Sequence, residues 1–292
     1  MIRRVAIFSK GGNIKTSDGV SRLISEFCRR GIKMLVFQST FDRNSCREDG
    51  MIEYFTDLHE IKNLPDLILS VGGDGTFLDT MLRVHDLGIP VAGVNTGRMG
   101  FLANIPAEEI SHSVDQLCAE EYGIIDRSLL EITRPMGFFK NEPSVALNEI
   151  TIQKADPRMI TINVYEGENY LNTYWADGVI ISTATGSTAY NLSVGGPILS
   201  PEDESIIISP ISPHNLTIRP IIVSGATMLR MIIEGRSSEF LGTCDFRSRR
   251  LPFSEEMHIV RSEKKLKTVM LKGTDFYSTL RNKLMWGADR RN

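Results

Sequence analysis

The sequence predicts a Rossmann-like α/β domain followed by a β-rich domain. Over roughly the first 125 residues, short apolar runs alternate with amphipathic stretches, the pattern of strand-helix units on a parallel sheet. After Asp126, short runs rich in Ile, Val, Thr and Tyr recur between Pro, Gly, Asn and Asp, with few long helical patterns. A length of 292 residues suits two ordinary domains or one large one. The expected boundaries are 1–126 for the α/β domain, 127–263 for the β-rich domain, and 264–292 for a C-terminal segment that can return to the first.

In order, Val5–Phe8 reads as a strand, Val20–Arg30 as a helix closed by Gly31, and Met34–Phe37 as a second strand. The polar Ser39–Gly50 reads as a loop, Asp66–Val71 as a strand, Thr76–Leu87 as a helix ending at Gly88, and Pro90–Val94 as a strand. Ala107–Glu121 is a further helix, opened by Pro106 with Glu108 and Glu109, which suit a helix N-terminus. The β-rich part offers Leu129–Arg134, Ser144–Lys154, Met159–Tyr165, Asp177–Thr183, Ile221–Ser224 and Met228–Glu234 as strands. Near the end, Phe276–Trp286 has helical spacing, with Phe276, Leu280, Leu284 and Met285 towards one face.

Composition narrows the class of function. Hydrophobic residues at 41% and charged residues at 24% exclude a disordered, collagen-like or coiled-coil chain. The net charge of -3 is unevenly spread: from Arg247 onward there are 12 basic and 5 acidic residues, +7, leaving 21 basic and 31 acidic before it, -10. A general nucleic-acid binder is basic as a whole or along a stripe, which this chain is not. No run approaches the ~20 apolar residues of a membrane helix, and Val5–Phe8 is too short for a signal-peptide core. Cys28, Cys46, Cys118 and Cys244 form no Cys-x-x-Cys, so reduced thiols and a cytoplasmic location are expected. The five histidines include no His-Glu-x-x-His, and no metal ligand is assigned.

Three constellations stand out. Leu67–Val71 is a buried strand delivering Gly72-Gly73-Asp74-Gly75 at the start of a helix. Glycines allow close backbone approach and a helix N-terminus offers free N–H groups, so the turn suits a phosphate chain. A carboxylate there repels phosphate, unless Asp74 faces a hydroxyl that must lose a proton, or a Mg²⁺; otherwise Asp74 is a helix N-cap. Neither a P-loop nor a Gly-x-Gly-x-x-Gly pattern occurs at this turn. The second is Gly93-Val94-Asn95-Thr96-Gly97-Arg98-Met99-Gly100-Phe101-Leu102, a loop after a strand in which Arg98 can meet phosphate. The third runs from Asp177 through Thr185-Gly186-Ser187-Thr188-Ala189-Tyr190 to Ser193 and Gly196, with small hydroxyls and an aromatic for a base. Upstream, Asn148-Glu149 places an amide and a carboxylate side by side for the vicinal hydroxyls of a ribose.

Together these segments resemble the NAD kinase family, most closely from about residue 67 to 197 and more weakly around Leu251–Leu271. The glycine turn alone is shared with lipid kinases and phosphofructokinases; the Asn148-Glu149 pair and the Thr185–Tyr190 run narrow it. The resemblance implies phosphorylation of the 2'-hydroxyl of the adenosine ribose of NAD, with ATP as donor and Mg²⁺ or another divalent cation. It makes Asp74 the catalytic group, puts Gly72, Gly73 and Gly75 against phosphates, counts Asp74 and Gly75 among the NAD-binding residues, and gives the adenosine ribose to Asn148 and Glu149. Asp177 then meets the nicotinamide end, Thr185, Thr188, Ala189, Tyr190 and Ser193 line the pocket, and Phe101 walls it. It also implies a homodimer or homotetramer and a C-terminal segment folded back on the first domain. The chain departs from the family at Ala176, Ala184, Met99 and Phe246; the last leaves the Asp245 loop without an assigned role. A lipid kinase sharing the turn and a non-catalytic nucleotide sensor are the competing readings.

Overall fold

The computed structural model describes residues 2–11, 14–38, 50–97 and 100–287. The chain divides into two compact units, Met1–Asp126 with Leu266–Asn292, and Arg127–Lys265.

In the first unit β1 (Arg4–Phe8), α1 (Ile14–Arg29), β2 (Lys33–Phe37), β3 (Ile52–Phe55) and β4 (Leu67–Gly72) come first. They are followed by α2 (Asp74–Val84), β5 (Val91–Asn95), β6 (Ile105–Pro106) and α3 (Ile110–Cys118). The strands pair in parallel in the order β3-β2-β1-β4-β5, with β6 beside β5. A parallel sheet covered on both faces needs strands that are apolar at successive positions. β1 is buried from Val5 to Phe8 and β4 along its whole length. α1 turns Val20, Leu23, Ile24 and Phe27 into a core shared with Val5, Val36, Leu69 and Val94. In such sheets ligands meet the loops at the carboxyl ends of the strands, and β4 and β5 end at Gly72 and Asn95.

The second unit is antiparallel. Its elements are the end of β7 (Tyr122–Arg134), β8 (Val145–Ala146), β9 (Glu149–Lys154), β10 (Ile160–Glu166), β11 (Asn169–Ala176) and β12 (Gly178–Ser182). After α4 (Tyr190–Ser193) come β13 (Ile206–Ile211), β14 (Ile221–Val223), β15 (Leu229–Gly235), β16 (Glu239–Cys244), β17 (Arg247–Pro252) and the start of β18 (Met257–Leu271). One sheet runs β14-β13-β12-β9-β16-β17 and another β11-β10-β15-β18. Ile150, Ile152, Ile181 and Phe240 of the former share a core with Ile162, Val164, Tyr174 and Met231 of the latter. Ile160, Ile162 and Val164 are buried at every second position of β10, as an antiparallel strand with one core face requires.

The end of β18 lies in the first unit, where Thr268 pairs with Val91, and α5 (Phe276–Leu284) follows it. The Asp275 side chain accepts the Ser278 N–H at 2.8 Å and caps α5. Of the apolar face expected there, only Leu280 is fully buried; Leu284 is 37% and Met285 72% exposed, because the helix stops at Leu284 and Met285 turns left-handed at φ 50°.

Several boundaries differ from expectation. α1 begins at Ile14 rather than Val20, its added turns being largely exposed and outside the apolar period. The helix expected over 107–121 opens with a tight turn at Ala107–Glu109 before α3. The Ser144–Lys154 strand is interrupted between Ala146 and Glu149. The expected loop at Ser39–Gly50 lies, save Gly50, outside the described residues. β3, β6, β11, β13, β16, β17 and β18 were not among the expected strands: β17 carries three arginines and one Leu, and the apolar run of β13 is broken by Ser209 and Pro210.

Candidate functional site

Asp74 is the first residue of α2, and Gly73, not Asp74, is the N-cap. The Asp74 carboxylate therefore does not cap its own helix but reaches the loop after β5. Its Oδ2 accepts the Phe101 N–H at 2.8 Å, and its Oδ1 accepts those of Leu102 at 3.1 Å and Ala103 at 3.0 Å. Gly100 is what allows this approach, since a Cβ there would lie 1.9 Å from Asp74 Oδ1. Asn95 ties the two ends of the loop: Nδ2 donates to the Ala103 carbonyl at 3.3 Å, and Oδ1 accepts the Gly97 N–H at 2.7 Å. Thr96 N–H donates to the Gly72 carbonyl at 3.3 Å. The Gly72 turn, the Asn95–Gly97 corner and the Gly100–Leu102 stretch are thus brought together; Arg98 and Met99 lie outside the described residues. A Cβ on Gly73 or Gly75 would meet nothing within 4 Å, so the α2 N-terminus is open to an anion.

In the second unit the short link Leu147-Asn148 is held by main-chain bonds from two sides. Asp245 accepts the N–H groups of Leu147 at 2.9 Å, Asn148 at 2.8 Å and Glu149 at 3.1 Å. Thr183 donates its Oγ1–H to the Leu147 carbonyl at 2.6 Å and its N–H to that of Asn148 at 2.9 Å. Sequence reasoning missed both partners, because Asp245 acts across almost a hundred residues and Thr183 reads as the end of a strand.

The Thr185–Thr188 turn and α4 continue this site. Gly186 N–H donates to Thr183 Oγ1 at 3.0 Å, and Thr185 Oγ1 accepts from Arg127 at 3.1 Å. Thr188 Oγ1 donates to the Thr185 carbonyl at 3.2 Å and Ser193 Oγ to that of Tyr190 at 2.7 Å; Ala189 joins the turn to α4. Tyr190 is 38% exposed. Beneath the run, the wholly buried Asn191 donates to the Ser187 and Pro197 carbonyls and accepts from Ser209 Oγ. Asp177 accepts from Lys154 Nζ at 2.6 Å. A Cβ on Gly186 would stand 2.0 Å from the Asn148 carbonyl oxygen. In Gly186→Ala the turn must move off Asn148; where this turn lines the NAD pocket, as the resemblance implies, the dissociation constant for NAD is expected to rise about tenfold or more, read by calorimetry. An unchanged constant would detach this turn from the binding site.

Glu149 is buried, with no partner for its Oε2. Burial, and then the Asp245 charge, push its carboxyl up to about 8, with the Tyr190 N–H opposing. Burial also raises Asp245, and its three main-chain N–H bonds oppose that shift. In the unfolded chain Glu149 releases its proton near its usual 4.5. Between that value and about 8 the folded chain holds the extra proton, so this group makes stability fall as pH rises through the window. Glu149→Gln removes the fall: its melting temperature should gain on the wild type between about pH 5 and pH 8. Parallel melting curves across that range would contradict the assignment of the proton.

Among the described residues no three His, Cys, Asp or Glu side chains converge as a metal cage. Three of the roughly four lone-pair directions of Asp74 are already used. The donor set does not fit a resident metal, and no step below passes through one. No helix among the described residues is long and apolar enough to cross a membrane.

A Rossmann-like unit with an open Gly-Gly-Asp-Gly helix start and an antiparallel unit with a half-buried Asn148 beside the buried Glu149 define an α/β-plus-β protein built to bind phosphate at a helix start. Residues 17–122 match the ATP-NAD kinase N-terminal domain and residues 147–271 the ATP-NAD kinase C-terminal domain. The NAD kinase of Cytophaga hutchinsonii is 40% identical over 276 residues, 94% of each chain. That of Bacteroides fragilis is 42% identical over 290 residues, 99% of each. The crystal structure of yeast NADH kinase complexed with NADH has the same fold, with a TM-score of 0.86 at 23% identity over 99% of this chain and 89% of that one. The chain belongs to the NAD kinase family.

Proposed function

We propose that this chain transfers the γ-phosphoryl group of ATP to the 2'-hydroxyl of the adenosine ribose of NAD, giving NADP. The observation that carries the reading is the Asp74 carboxylate, fixed by three main-chain N–H groups beside an open, glycine-lined helix start. Family membership supplies the substrates. The relatives give no support to a lipid kinase or a sensor.

The residue roles follow the resemblance. Asp74 accepts the hydroxyl proton as that oxygen attacks phosphorus; an aspartate is a weak base for an alcohol, so it mainly orients the nucleophile. Oδ1 accepts two N–H bonds and Oδ2 one, which leaves the free direction of Oδ2 for the hydroxyl. Gly72, Gly73 and Gly75, with Arg98, receive phosphates. Asn148 and a protonated Glu149 hold the ribose hydroxyls, the latter donating as well as accepting. Asp177 takes the nicotinamide end, Thr185, Thr188, Ala189, Tyr190 and Ser193 line the NAD pocket, and Phe101 packs against the nucleotide. The divalent cation enters with the triphosphate as part of the substrate. The α/β domain carries the phosphate chemistry, the β-rich domain carries NAD recognition, and the C-terminal segment belongs to the former. The working form is a homodimer or homotetramer in the cytoplasm, which sedimentation and fractionation test. The activity is tested by incubating the chain with NAD, ATP and Mg²⁺ and detecting NADP with an NADP-specific dehydrogenase; no NADP would refute it.

A further inference from the structure

The C-terminal helix brings a cation to Asp74 that the assigned roles do not use. Lys283 lies in the last turn of α5, and its Nζ is closed off from solvent and has no hydrogen-bond partner. The ammonium stands 4.6 Å from the centre of the Phe101 ring, and the Phe101 N–H is one of the three that hold Asp74. Burial pushes Lys283 below the usual lysine value, with the Asp74 charge opposing.

An ammonium carries three N–H donors. A ring face returns to a cation only part of what a buried charged donor loses when it is left unbonded. Asp74 does not satisfy Lys283, because its carboxylate is turned to the loop amides. The lysine therefore lies over the Phe101 ring with its bonding capacity unspent, within the field of Asp74 at the start of α2. What meets those donors is a group that arrives with several anionic oxygens, and lysine on its flexible stem suits phosphate as a point charge. An Asp beside a triphosphate also needs a cation to offset its repulsion.

We propose that Lys283 receives a phosphate oxygen of the donor triphosphate at the Gly72–Gly75 turn. This rests on ATP being the donor. Binding of ATP then draws the ammonium from the ring face to phosphate, and the lysine serves the donor rather than NAD.

The test uses the full chain, K283M, which keeps the length of the stem, and K283R, which keeps the charge. Steady-state kinetics should show KM for ATP about tenfold or more higher in K283M, with KM for NAD within about twofold of wild type and K283R largely restored. The dissociation constant of inorganic tripolyphosphate, by calorimetry, should rise in parallel in K283M. A purely structural lysine would disturb both substrates alike. KM for ATP and tripolyphosphate binding unchanged in K283M, or KM for NAD rising as much as that for ATP, would overturn the proposal while leaving the kinase reading intact. If wild type makes no NADP, the kinase reading fails, and the tripolyphosphate comparison alone decides whether Lys283 binds a phosphate chain.

Discussion

Replacing Asp74 with Asn is expected to lower turnover by about 10² to 10⁴ while NAD binding stays nearly intact. The substitution conserves shape but changes two things. It removes the basic oxygen, worth about 3 to 5 kcal/mol of barrier at that range of rates. It also puts an NH₂ where a carboxylate oxygen accepted a main-chain N–H. If the amide oxygen takes the place of Oδ1, it keeps the Leu102 and Ala103 bonds and leaves the Phe101 N–H facing a donor. That local loss is about 1 to 3 kcal/mol in stability, so rates must be referred to folded protein measured by melting. Because the NAD contacts proposed for Asn148 and Glu149 do not involve Asp74, calorimetric NAD affinity should change little. Turnover within about tenfold of wild type would remove Asp74 from the catalytic role.

Gly100→Ala is expected to lower kcat/KM by about 10², although no proposed contact with either nucleotide is deleted. Its methyl would begin 1.9 Å from Asp74 Oδ1, well inside van der Waals contact, so either the carboxylate or the loop that holds it must give way. A shift of about 1 Å in a reacting group costs on the order of 10² in rate. The loop gives way only by losing N–H bonds to Phe101, Leu102 or Ala103, so the melting temperature should fall as well. Steady-state rates on protein shown by circular dichroism to be folded make the test. A variant within about threefold of wild type would mean that the loop and the carboxylate do not need this registration.

The parts of the fold legible in sequence are those whose burial forces a one-dimensional pattern. β4, buried throughout and ending in Gly72-Gly73, could be read as a strand meeting a helix because a covered parallel strand is apolar at every position. α1 was read only over its apolar turns, from Val20, because its exposed first turns carry no period. β17 was invisible for the opposite reason: Arg247 and Arg249 share the inward face of the buried Leu251, over the Phe139 and Phe138 rings, so charged residues stand where an apolar alternation would be read.

The site was legible as residue types and not as contacts. Asp74 was singled out, yet its bonding to the 101–103 loop depends on the fold bringing β5 beside β4. Asp245 went unassigned because Phe246 stands where the family often has glycine; in the structure the left-handed φ of 51° falls on Asp245 itself, and Phe246 is 52% exposed. Lys283 read as one charge in a basic tail, because helical spacing marks the apolar face and treats a lysine as solvated. The basic C-terminus thus contributes one specific ammonium beside Asp74 as well as general charge.

The central claim, transfer of the terminal phosphate of ATP to one hydroxyl of NAD, is tested most directly by where the phosphate goes. Incubation of the chain with γ-³²P-ATP, Mg²⁺ and NAD, with the product resolved and its phosphate located by NMR, should place the label on the 2'-oxygen of the adenosine ribose. The same incubation with 2'-deoxyadenosine NAD should give no labelled dinucleotide. Label on another oxygen, or equal labelling of the 2'-deoxy substrate, would contradict the account.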